Sequence, residues 1–271
     1  MPEKDSTSSK KLIEVNNVSK AFGENHVLQG ISLSISEGET LTVLGKSGAG
    51  KSVLLKIIVG LMEPDEGEVF YEGASITRAK EKELNTIRTN MGFLFQGGAL
   101  FDSMTVGENL NKILEAHTDL SFEEREQRIR HSLQLVSLGD KLDEMPSSLS
   151  GGQKKRAGLA RSIVLQPKLI LYDEPTTGLD PITASSIAEL ILTLQTELKV
   201  ASIVVTHDLP TAFTISDDAI VLDGGVKIYD GPVEGLSNSH HDHLDEFLNA
   251  AKLDRSRREK IIQKAKKEKI E

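Results

Sequence analysis

A glycine-rich octapeptide constrains the fold of this chain more than any other feature. Residues 45–52 read GKSGAGKS, a full match to the pattern G-x-x-x-x-G-K-[ST]. An apolar run at 41–44, predicted to be a strand, precedes the motif, and a segment at 53–61 with the apolar density of a buried helix follows it. Glycines in such a loop let backbone N–H groups surround phosphate oxygens, and the start of the helix adds partial positive charge. The sequence therefore predicts a strand, loop and helix that bind nucleotide phosphates, although the motif alone would also fit an ordinary glycine turn.

Two side chains of this loop have separate predicted tasks. Lys51 is expected to reach the β and γ phosphates, and the Ser52 hydroxyl is expected to bind Mg²⁺. The residues predicted to contact the nucleotide are Gly45, Lys46, Ser47, Gly48, Ala49, Gly50, Lys51 and Ser52.

An apolar strand that ends in two carboxylates is the second signal. Residues 169–174 read LILYDE. At the carboxyl end of a parallel strand beside a phosphate loop, Asp173 would hold Mg²⁺ directly or through water. Because side chains alternate along a strand, Glu174 should point elsewhere, toward a water that attacks the γ-phosphate, and would act as its general base. Without the loop, two solvated carboxylates would be the simpler interpretation; with it, hydrolysis of ATP or GTP is favoured.

Short apolar segments alternate with helical patterns along the chain. Groups between 12 and 35 predict a few strands, and 68–76 and 91–95 each predict one strand. The region 106–149 is rich in helix formers and predicts a helical insertion. Further short strands are predicted at 169–172, 203–205 and 220–222, and a helix is marked by Ile187, Leu190, Leu194 and Leu198. Buried parallel strands alternating with helices imply an open α/β sheet covered on both faces.

The pentapeptide LSGGQ at 149–153 distinguishes among nucleotide hydrolases. With it, the chain resembles the ATP-binding cassette (ABC) ATPases, whose signature is this pentapeptide. The resemblance implies that Ser150, Gly151, Gly152 and Gln153 of one subunit close over the γ-phosphate held by the phosphate loop of the other. A serine hydroxyl and glycine amides at a helix start form a suitable anion site. In isolation the same peptide would fit an ordinary loop and helix cap.

The resemblance implies roles for four more residues. Gln96 matches the glutamine that joins the core to the helical region and reaches Mg²⁺ or water, and Asp180, in the sequence GLD at 178–180, matches a loop that crosses the dimer interface. His207, in VVTHD at 204–208, matches the histidine that contacts the γ-phosphate and keeps Glu174 and the attacking water in register. Phe22 matches the aromatic residue that stacks on adenine, although composition alone would favour a place in the core.

The resemblance spans residues 12–236 and implies an α/β class fold, a P-loop NTPase core of the ABC ATPase type. A small antiparallel β subdomain and an α-helical subdomain, at about 97–160, would accompany this core. Residues 1–11 are expected to be a flexible N-terminus and 237–271 a helical extension. The resemblance also implies Mg²⁺-dependent ATPase activity and a head-to-tail homodimer with two ATP molecules at its interface. ATP binding would close this dimer and hydrolysis would reopen it.

Composition excludes several other kinds of chemistry. The chain has 271 residues and no cysteine, so disulfides and thiolate catalysis are excluded. The net charge of −9 shows no overall basic excess, and no nucleic-acid partner is expected. Neither a signal peptide nor an apolar stretch of the roughly 20 residues needed to span a bilayer is recognised. If the chain serves a transporter, integral-membrane permease subunits must be separate chains, with this one at the cytoplasmic face of the inner membrane.

The segment after the predicted strand 91–95 bears on the transported substrate. Residues 95–101 read FQGGALF, which resembles the ATPases of Mla and Mce type lipid transport systems. That resemblance implies a phospholipid or other lipid as cargo, with an MCE lipid-binding protein and a small accessory subunit as further partners. Gln153 departs from it, because Mla ATPases often carry methionine there. Ala99, Leu100, Phe101 and Met104 would form an apolar docking surface for the permease, or would simply pack the helical subdomain onto the core.

Other interpretations remain open for the tail and for the function. Residues 252–271 carry nine basic and four acidic side chains, which would form a solvated helix, embrace a neighbouring subunit or touch anionic lipids. His240, His241 and His243 are a weaker candidate for a metal tract. The competing functions are the ATPase of a small-solute importer, such as one for amino acids, and an ABC protein that acts on DNA or ribosomes.

Overall fold

The computed structural model describes residues 11–238. The predicted flexible segment 1–11 lies outside this range except for Lys11, which begins the first strand. The tail from residue 239 onward, with its three histidines and its basic cluster, also lies outside the described residues. Within residues 11–238, no helix is both long and apolar enough to span a bilayer.

Strands and helices alternate through most of the described chain. The strands are β1 (Lys11–Phe22), β2 (Asn25–Ser36), β3 (Thr40–Gly45), β4 (Glu66–Tyr71), β5 (Ala74–Ser75), β6 (Met91–Leu94), β7 (Leu169–Asp173), β8 (Ala201–Thr206), β9 (Asp218–Asp223) and β10 (Val226–Pro232). The α-helices are α1 (Lys51–Ile58), α2 (Glu81–Arg88), α3 (Val106–His117), α4 (Phe122–Leu135), α5 (Gly151–Ile163), α6 (Pro181–Leu198) and α7 (Leu209–Ile215).

The central sheet has the strand order β10-β9-β3-β8-β7-β6, and all of its pairs are parallel except β10 with β9. Its central strands β3, β7 and β8 are almost completely buried, because both faces of the sheet are covered there. In β7, Leu169 and Leu171 join a core with β1, β2 and α1, whereas Ile170 and Tyr172 join a second core with the helices α3 to α6. The predicted open α/β sheet is therefore confirmed.

Parallel order also explains where the predicted site residues meet. The carboxyl ends of β3, β6, β7 and β8 lie along one edge of the sheet, and ligands of open α/β sheets bind at this edge. The phosphate loop follows β3, Gln96 follows β6, Asp173 ends β7, and His207 follows β8. One edge thus collects four segments that are far apart in the chain.

A second sheet, of order β2-β1-β4-β5, is antiparallel. The few strands predicted between 12 and 35 are two strands of twelve residues each. The single strand predicted at 68–76 is wrong: the chain turns at Glu72, which has φ 48°, and Gly73, so that β5 folds back on β4. The buried positions change from Val69 and Tyr71 to Ile76 across this turn, and the apolar residues on both sides of it resemble one strand in the sequence.

The helical insertion predicted at 106–149 contains α3 and α4 followed by an irregular segment, and α5 begins just after it. Capping boxes begin all three helices, at Thr105, Ser121 and Ser150. The predicted helix with Ile187 and Leu194 is α6. Helix α2 was not predicted, because its only two apolar residues, Leu84 and Ile87, are too few to mark a helical period in the sequence.

Candidate nucleotide-hydrolysis site

Two glycines of the phosphate loop occupy places that no other residue could fill unchanged. Gly50 has φ 91°, and a Cβ atom there would lie 2.6 Å from the carbonyl oxygen of Val27. A Cβ atom on Gly45 would lie 2.5 Å from the carbonyl oxygen of Leu222. The loop therefore folds tightly against its surroundings, while residues 46–48 at its tip remain exposed.

Lys51 begins α1 and is buried. Its Nζ atom donates hydrogen bonds to the carbonyl oxygens of Gly45, at 2.8 Å, and Lys46, at 3.1 Å. The same atom lies 3.5 Å from Oε1 of Glu174. The ammonium group is therefore held inside the curve of the loop, within reach of a phosphate bound there.

Ser52 and Asp173 form the second contact between the phosphate loop and β7. The Ser52 hydroxyl donates a hydrogen bond of 2.8 Å to Oδ1 of Asp173. Burial raises the pKa of Asp173, and the Ser52 hydrogen bond only partly offsets this. A hydroxyl and a carboxylate oxygen are ligands that suit Mg²⁺, which in nucleotide sites takes one or two protein oxygens besides phosphates and waters. These two residues fit the predicted ion.

Glu174 lies at the centre of the site. It has φ 49°, a left-handed conformation that is strained for a side chain of this size, and it is only 9 % exposed. Oε2 lies 2.9 Å from Nδ1 of His207 and accepts a hydrogen bond of 3.0 Å from Thr177. Burial raises the pKa of Glu174, but the hydrogen bonds of His207 and Thr177 and the charge of Lys51 outweigh it, so that the net pKa is below its ordinary value.

The pKa values of the two neighbouring carboxyl groups therefore shift in opposite directions: the pKa of Asp173 is raised and that of Glu174 is lowered. The sequence predicted that their side chains point in different directions, and their partners differ accordingly. Asp173 contacts Ser52, whereas Glu174 contacts Lys51, Thr177 and His207. Such a separation is typical of sites in which two acids have different tasks.

Gln96 and Phe22 both lie at the surface. Gln96 is exposed just beyond β6, and its backbone carbonyl accepts a hydrogen bond from Lys155. Phe22 ends β1 and is 49 % exposed, with Nζ of Lys20 at 5.8 Å from its ring centroid. The core position that composition alone would favour for Phe22 is therefore wrong, and the ring is available for stacking.

The signature pentapeptide begins α5. The Ser150 side chain caps the helix by accepting a hydrogen bond of 3.3 Å from the Gln153 backbone, and Oε1 of Gln153 accepts one of 2.9 Å from the Ser150 backbone. Ser150 and Gly151 are exposed, and Gly152 and Gln153 are half-buried. The cap and an anion site are compatible, since both use the first turn of the helix.

Asp180 caps α6 in the same way. Its Oδ1 accepts hydrogen bonds from the backbones of Ile182, at 3.1 Å, and Thr183, at 3.0 Å. The hydrogen bonds of Thr183, from its side chain first and then from its backbone, lower the pKa of Asp180. Next to it, the Ile182 side chain is 83 % exposed. The predicted interface loop thus presents an apolar side chain to solvent beside a fixed carboxylate.

Lys155, Thr177 and Thr206 belong to the same site and were not singled out from the sequence. Thr177 and Thr206 hydrogen-bond Oε2 of Glu174, at 3.0 and 3.5 Å. Lys155 is 6 % exposed and bonds to backbone carbonyls at two strand ends. A threonine near a catalytic motif and a lysine on a helix are too common to attract notice, because only the fold shows what they touch.

Comparison with known proteins agrees with this geometry. The sequence profile of the family described as ABC transporter matches residues 28–177. The chain is 39 % identical over 241 residues to the probable ribonucleotide transport ATP-binding protein mkl of Mycobacterium tuberculosis, which covers 89 % of this chain and 67 % of that protein. It is 38 % identical over 231 residues to the methionine import ATP-binding protein MetN of Brucella suis, covering 85 % of this chain and 62 % of that protein.

Solved structures are similar over most of the described fold. The ATP-binding cassette MJ0796, in a dimeric post-hydrolysis state bound to ADP and Pi, aligns with a TM-score of 0.75 and 33 % identity over 82 % of this chain and 99 % of that one. The cassette cbiO1 of Clostridium perfringens, part of the transporter complex cbiONQ, aligns with a TM-score of 0.78 and 28 % identity over 85 % and 92 % of the two chains. With the phosphate loop, the paired carboxylates and the signature helix in one cassette fold, the chain belongs to the ABC transporter family and is an ATP-binding subunit with Mg²⁺-dependent ATPase activity.

Proposed function

We propose that this ATPase drives lipid transport of the Mla or Mce type through a separate permease, at the cytoplasmic face of the inner membrane. The observation that carries the proposal is the exposure of two aromatic side chains in the segment that contains Gln96. Phe95 is 38 % exposed and Phe101 is 46 % exposed. Both lie in FQGGALF, the segment that resembles lipid transport ATPases. Exposed aromatic side chains in this segment are suited to bind a permease.

Arg161, on α5, holds two residues of this segment in place. The Arg161 side chain donates a hydrogen bond to the Ala99 carbonyl, and its guanidinium lies 5.2 Å from the Phe101 ring centroid. The four predicted docking residues differ in exposure. Ala99 and Phe101 are exposed, Met104 is half-buried, and Leu100 packs against the helical core. The proposed contact with the permease therefore centres on Phe101.

In the proposed reaction the residues have the following tasks. Lys51 and the backbone of residues 45–50 bind the phosphates, and Phe22 stacks on adenine. Ser52, Asp173 and Gln96 would hold Mg²⁺, which when bound neutralises phosphate charge. Glu174 accepts the proton of the attacking water, and His207 orients Glu174. Ser150 to Gln153 and Asp180 act on the second ATP in a head-to-tail homodimer.

Import of a small solute is the second candidate, and the similarity to the methionine import protein MetN favours it. The name of mkl adds ribonucleotides as a third class of cargo to test. These candidates differ in the cargo, which the ATPase subunit itself does not contact. The permease therefore has to be present in any experiment that distinguishes them.

The test is purification of the chain with its permease from native membranes, followed by reconstitution in phospholipid vesicles. Under the proposal, ATP hydrolysis is coupled to transfer of a labelled phospholipid, and neither methionine nor ribonucleotides stimulate it. Phe101→Ser should lose the permease, whereas Phe122→Ser, which alters a 65 % exposed ring on α4, should retain it. Stimulation by methionine or a ribonucleotide without lipid transfer would refute the lipid proposal and leave the ATPase assignment intact.

A further inference from the structure

A buried lysine connects the signature helix to the strand ends of the site. Lys155 lies in the second turn of α5, five residues after the cap residue Ser150, and is only 6 % exposed. Removing an ammonium group from water is costly, and a lysine is rarely found this deep unless its hydrogens have partners. Burial lowers the pKa of Lys155, while the carboxylates of Asp173 and Glu174 oppose this.

The partners of the ammonium group are two backbone carbonyls from different strands. Nζ donates one hydrogen bond to the carbonyl oxygen of Gln96, beyond β6, and one of 3.3 Å to the carbonyl oxygen of Glu174, beyond β7. Each carbonyl belongs to a residue whose side chain is assigned to the hydrolysis reaction above. One cation thus links the backbones that carry both side chains.

The segment 96–99 is fastened to α5 at a second point as well. Arg161, six residues after Lys155, donates to the Ala99 carbonyl. Between these two residues lies Gly158, where a Cβ atom would be 2.8 Å from Cδ1 of Leu94 and 3.0 Å from the Gly98 carbonyl oxygen. The glycine lets the segment lie directly on the helix, and the two cations hold it at either end.

The backbone conformation of Glu174 requires contacts that hold it in place. Its φ of 49° is strained and persists only if the surrounding contacts enforce it. Its N–H donates a hydrogen bond of 2.9 Å to the Val205 carbonyl, and its carbonyl oxygen accepts the hydrogen bond from Lys155. Lys155 therefore holds the carbonyl end of Glu174, while Val205 holds its N–H.

We propose that Lys155 is a positioning residue for ATP hydrolysis. It fixes the Gln96 segment and the Glu174 backbone relative to α5, so that the helix that begins with the signature and the two reacting side chains move as one unit. The inference rests on the proposed roles of Gln96 and Glu174. Lys155 is not proposed to contact ATP. Its replacement should therefore lower turnover without weakening nucleotide binding.

The test compares three variants of the full chain. Lys155→Met keeps the length of the side chain and removes its donors, Lys155→Gln keeps an amide donor, and Lys154→Met removes a neighbouring charge from the same helix. For Lys155→Met we expect kcat to fall by about tenfold or more, as for modest misplacement of reacting groups, with KM for ATP and the stoichiometry of nucleotide binding changed by less than about twofold. Lys155→Gln should recover part of kcat, and Lys154→Met should match the parent.

Three results would overturn the proposal: an unchanged kcat in Lys155→Met, a loss of nucleotide stoichiometry in parallel with kcat, or no recovery in Lys155→Gln. If Lys155→Met does not fold, Lys155→Gln decides, because its shorter amide cannot serve both carbonyls and its kcat should lie below that of the parent. A different result would show that the proposed reaction scheme itself is wrong: in that case Glu174→Gln would retain turnover. If Glu174→Gln is inactive and Lys155→Met is normal, only the role of Lys155 is refuted.

Discussion

The Nδ1 atom of His207 lies 2.9 Å from Oε2 of Glu174, joining the end of β8 to the end of β7. This contact fixes the direction of a carboxylate that is otherwise held by Thr177, Thr206 and Lys51. A carboxylate that is oriented, buried and ionised in this way can accept a proton from a water beside the γ-phosphate. Its neighbour Asp173 is engaged with Ser52 and is not free for that task.

The first prediction concerns this proton acceptor. Glu174→Gln preserves the shape of the side chain and removes its basicity, so we expect turnover to fall by about 10²-fold or more, the usual contribution of a general base. ATP affinity should stay within about threefold of the parent, because the phosphate loop is unchanged. Single-turnover hydrolysis and equilibrium binding of a labelled nucleotide measure the two quantities. Since hydrolysis is proposed to reopen the dimer, ATP should also trap this variant as a dimer in size-exclusion chromatography; retained hydrolysis would refute the role of Glu174.

The second prediction concerns the lysine of the phosphate loop. Lys51→Met retains much of the buried stem and removes the ammonium group that lies within the loop. We expect ATP to bind at least about tenfold more weakly, since a charge-assisted contact with phosphate is lost. Lys56→Met is the control, because Lys56 lies on the same helix but is exposed. Isothermal titration with ATP should show weakened binding in the first variant only, and equal affinities in both would contradict the assignment.

The sequence could predict the positions of site residues that stand close to the end of a recognisable strand. Ser52, Asp173 and His207 each follow an apolar run, and parallel strands bring their carboxyl ends to one edge. The 2.8 Å contact between Ser52, on α1, and Asp173, at the end of β7, lies at this edge of the sheet. The role of Ser52 was predicted from the phosphate-loop motif, that of Asp173 from its place at a strand end, and that of His207 from the resemblance to ABC ATPases; all three remain predictions.

Other features depend on contacts that are distant in the chain. Lys155 stands in a charged stretch of a helix and looks like a surface residue, yet its acceptors are Gln96 and Glu174, which are 59 and 19 residues away. Composition alone did not predict the exposure of Phe22, because aromatic residues are largely buried on average; only the resemblance, which places Phe22 against adenine, implied it. The left-handed conformation of Glu174 is imposed by its neighbours and has no local signal.

The third prediction concerns the backbone of the phosphate loop. Gly50→Ala places a methyl group at φ 91° and against the Val27 carbonyl oxygen, so the loop must shift. We expect a loss of roughly 1–3 kcal/mol in the free energy of unfolding, the cost of a strained conformation, together with weaker ATP binding. Gly139→Ala is the matched control, since a Cβ atom there would meet only the Gln134 side chain at an ordinary 3.5 Å. Urea denaturation should distinguish the two, and equal stability of both variants would show that the loop tolerates the methyl group.

The fourth prediction uses the opposite pKa shifts of the two adjacent carboxyl groups. Glu174 has a lowered pKa in the folded protein, so its ionised form stabilises the fold above its ordinary value of 4.5, and this contribution is lost as the pH falls through the lower folded value. Asp173 has a raised pKa, so its ionisation costs stability as the pH rises from its ordinary value of 3.8 through the higher folded value. Replacement by the neutral amide should therefore act in opposite directions.

At about pH 7 and without nucleotide, Glu174→Gln should be less stable than the parent and Asp173→Asn more stable, and both differences should shrink as the pH is lowered toward about 3. Urea denaturation across this pH range measures them, with the m-value checked for each variant so that changes in compactness are recognised. The Asn side chain can still accept the Ser52 hydrogen bond, so a gain in Asp173→Asn reports the charge rather than the contact. Shifts of the same sign in both variants would contradict the electrostatic account, because burial and hydrogen bonding would then act on the two carboxylates alike.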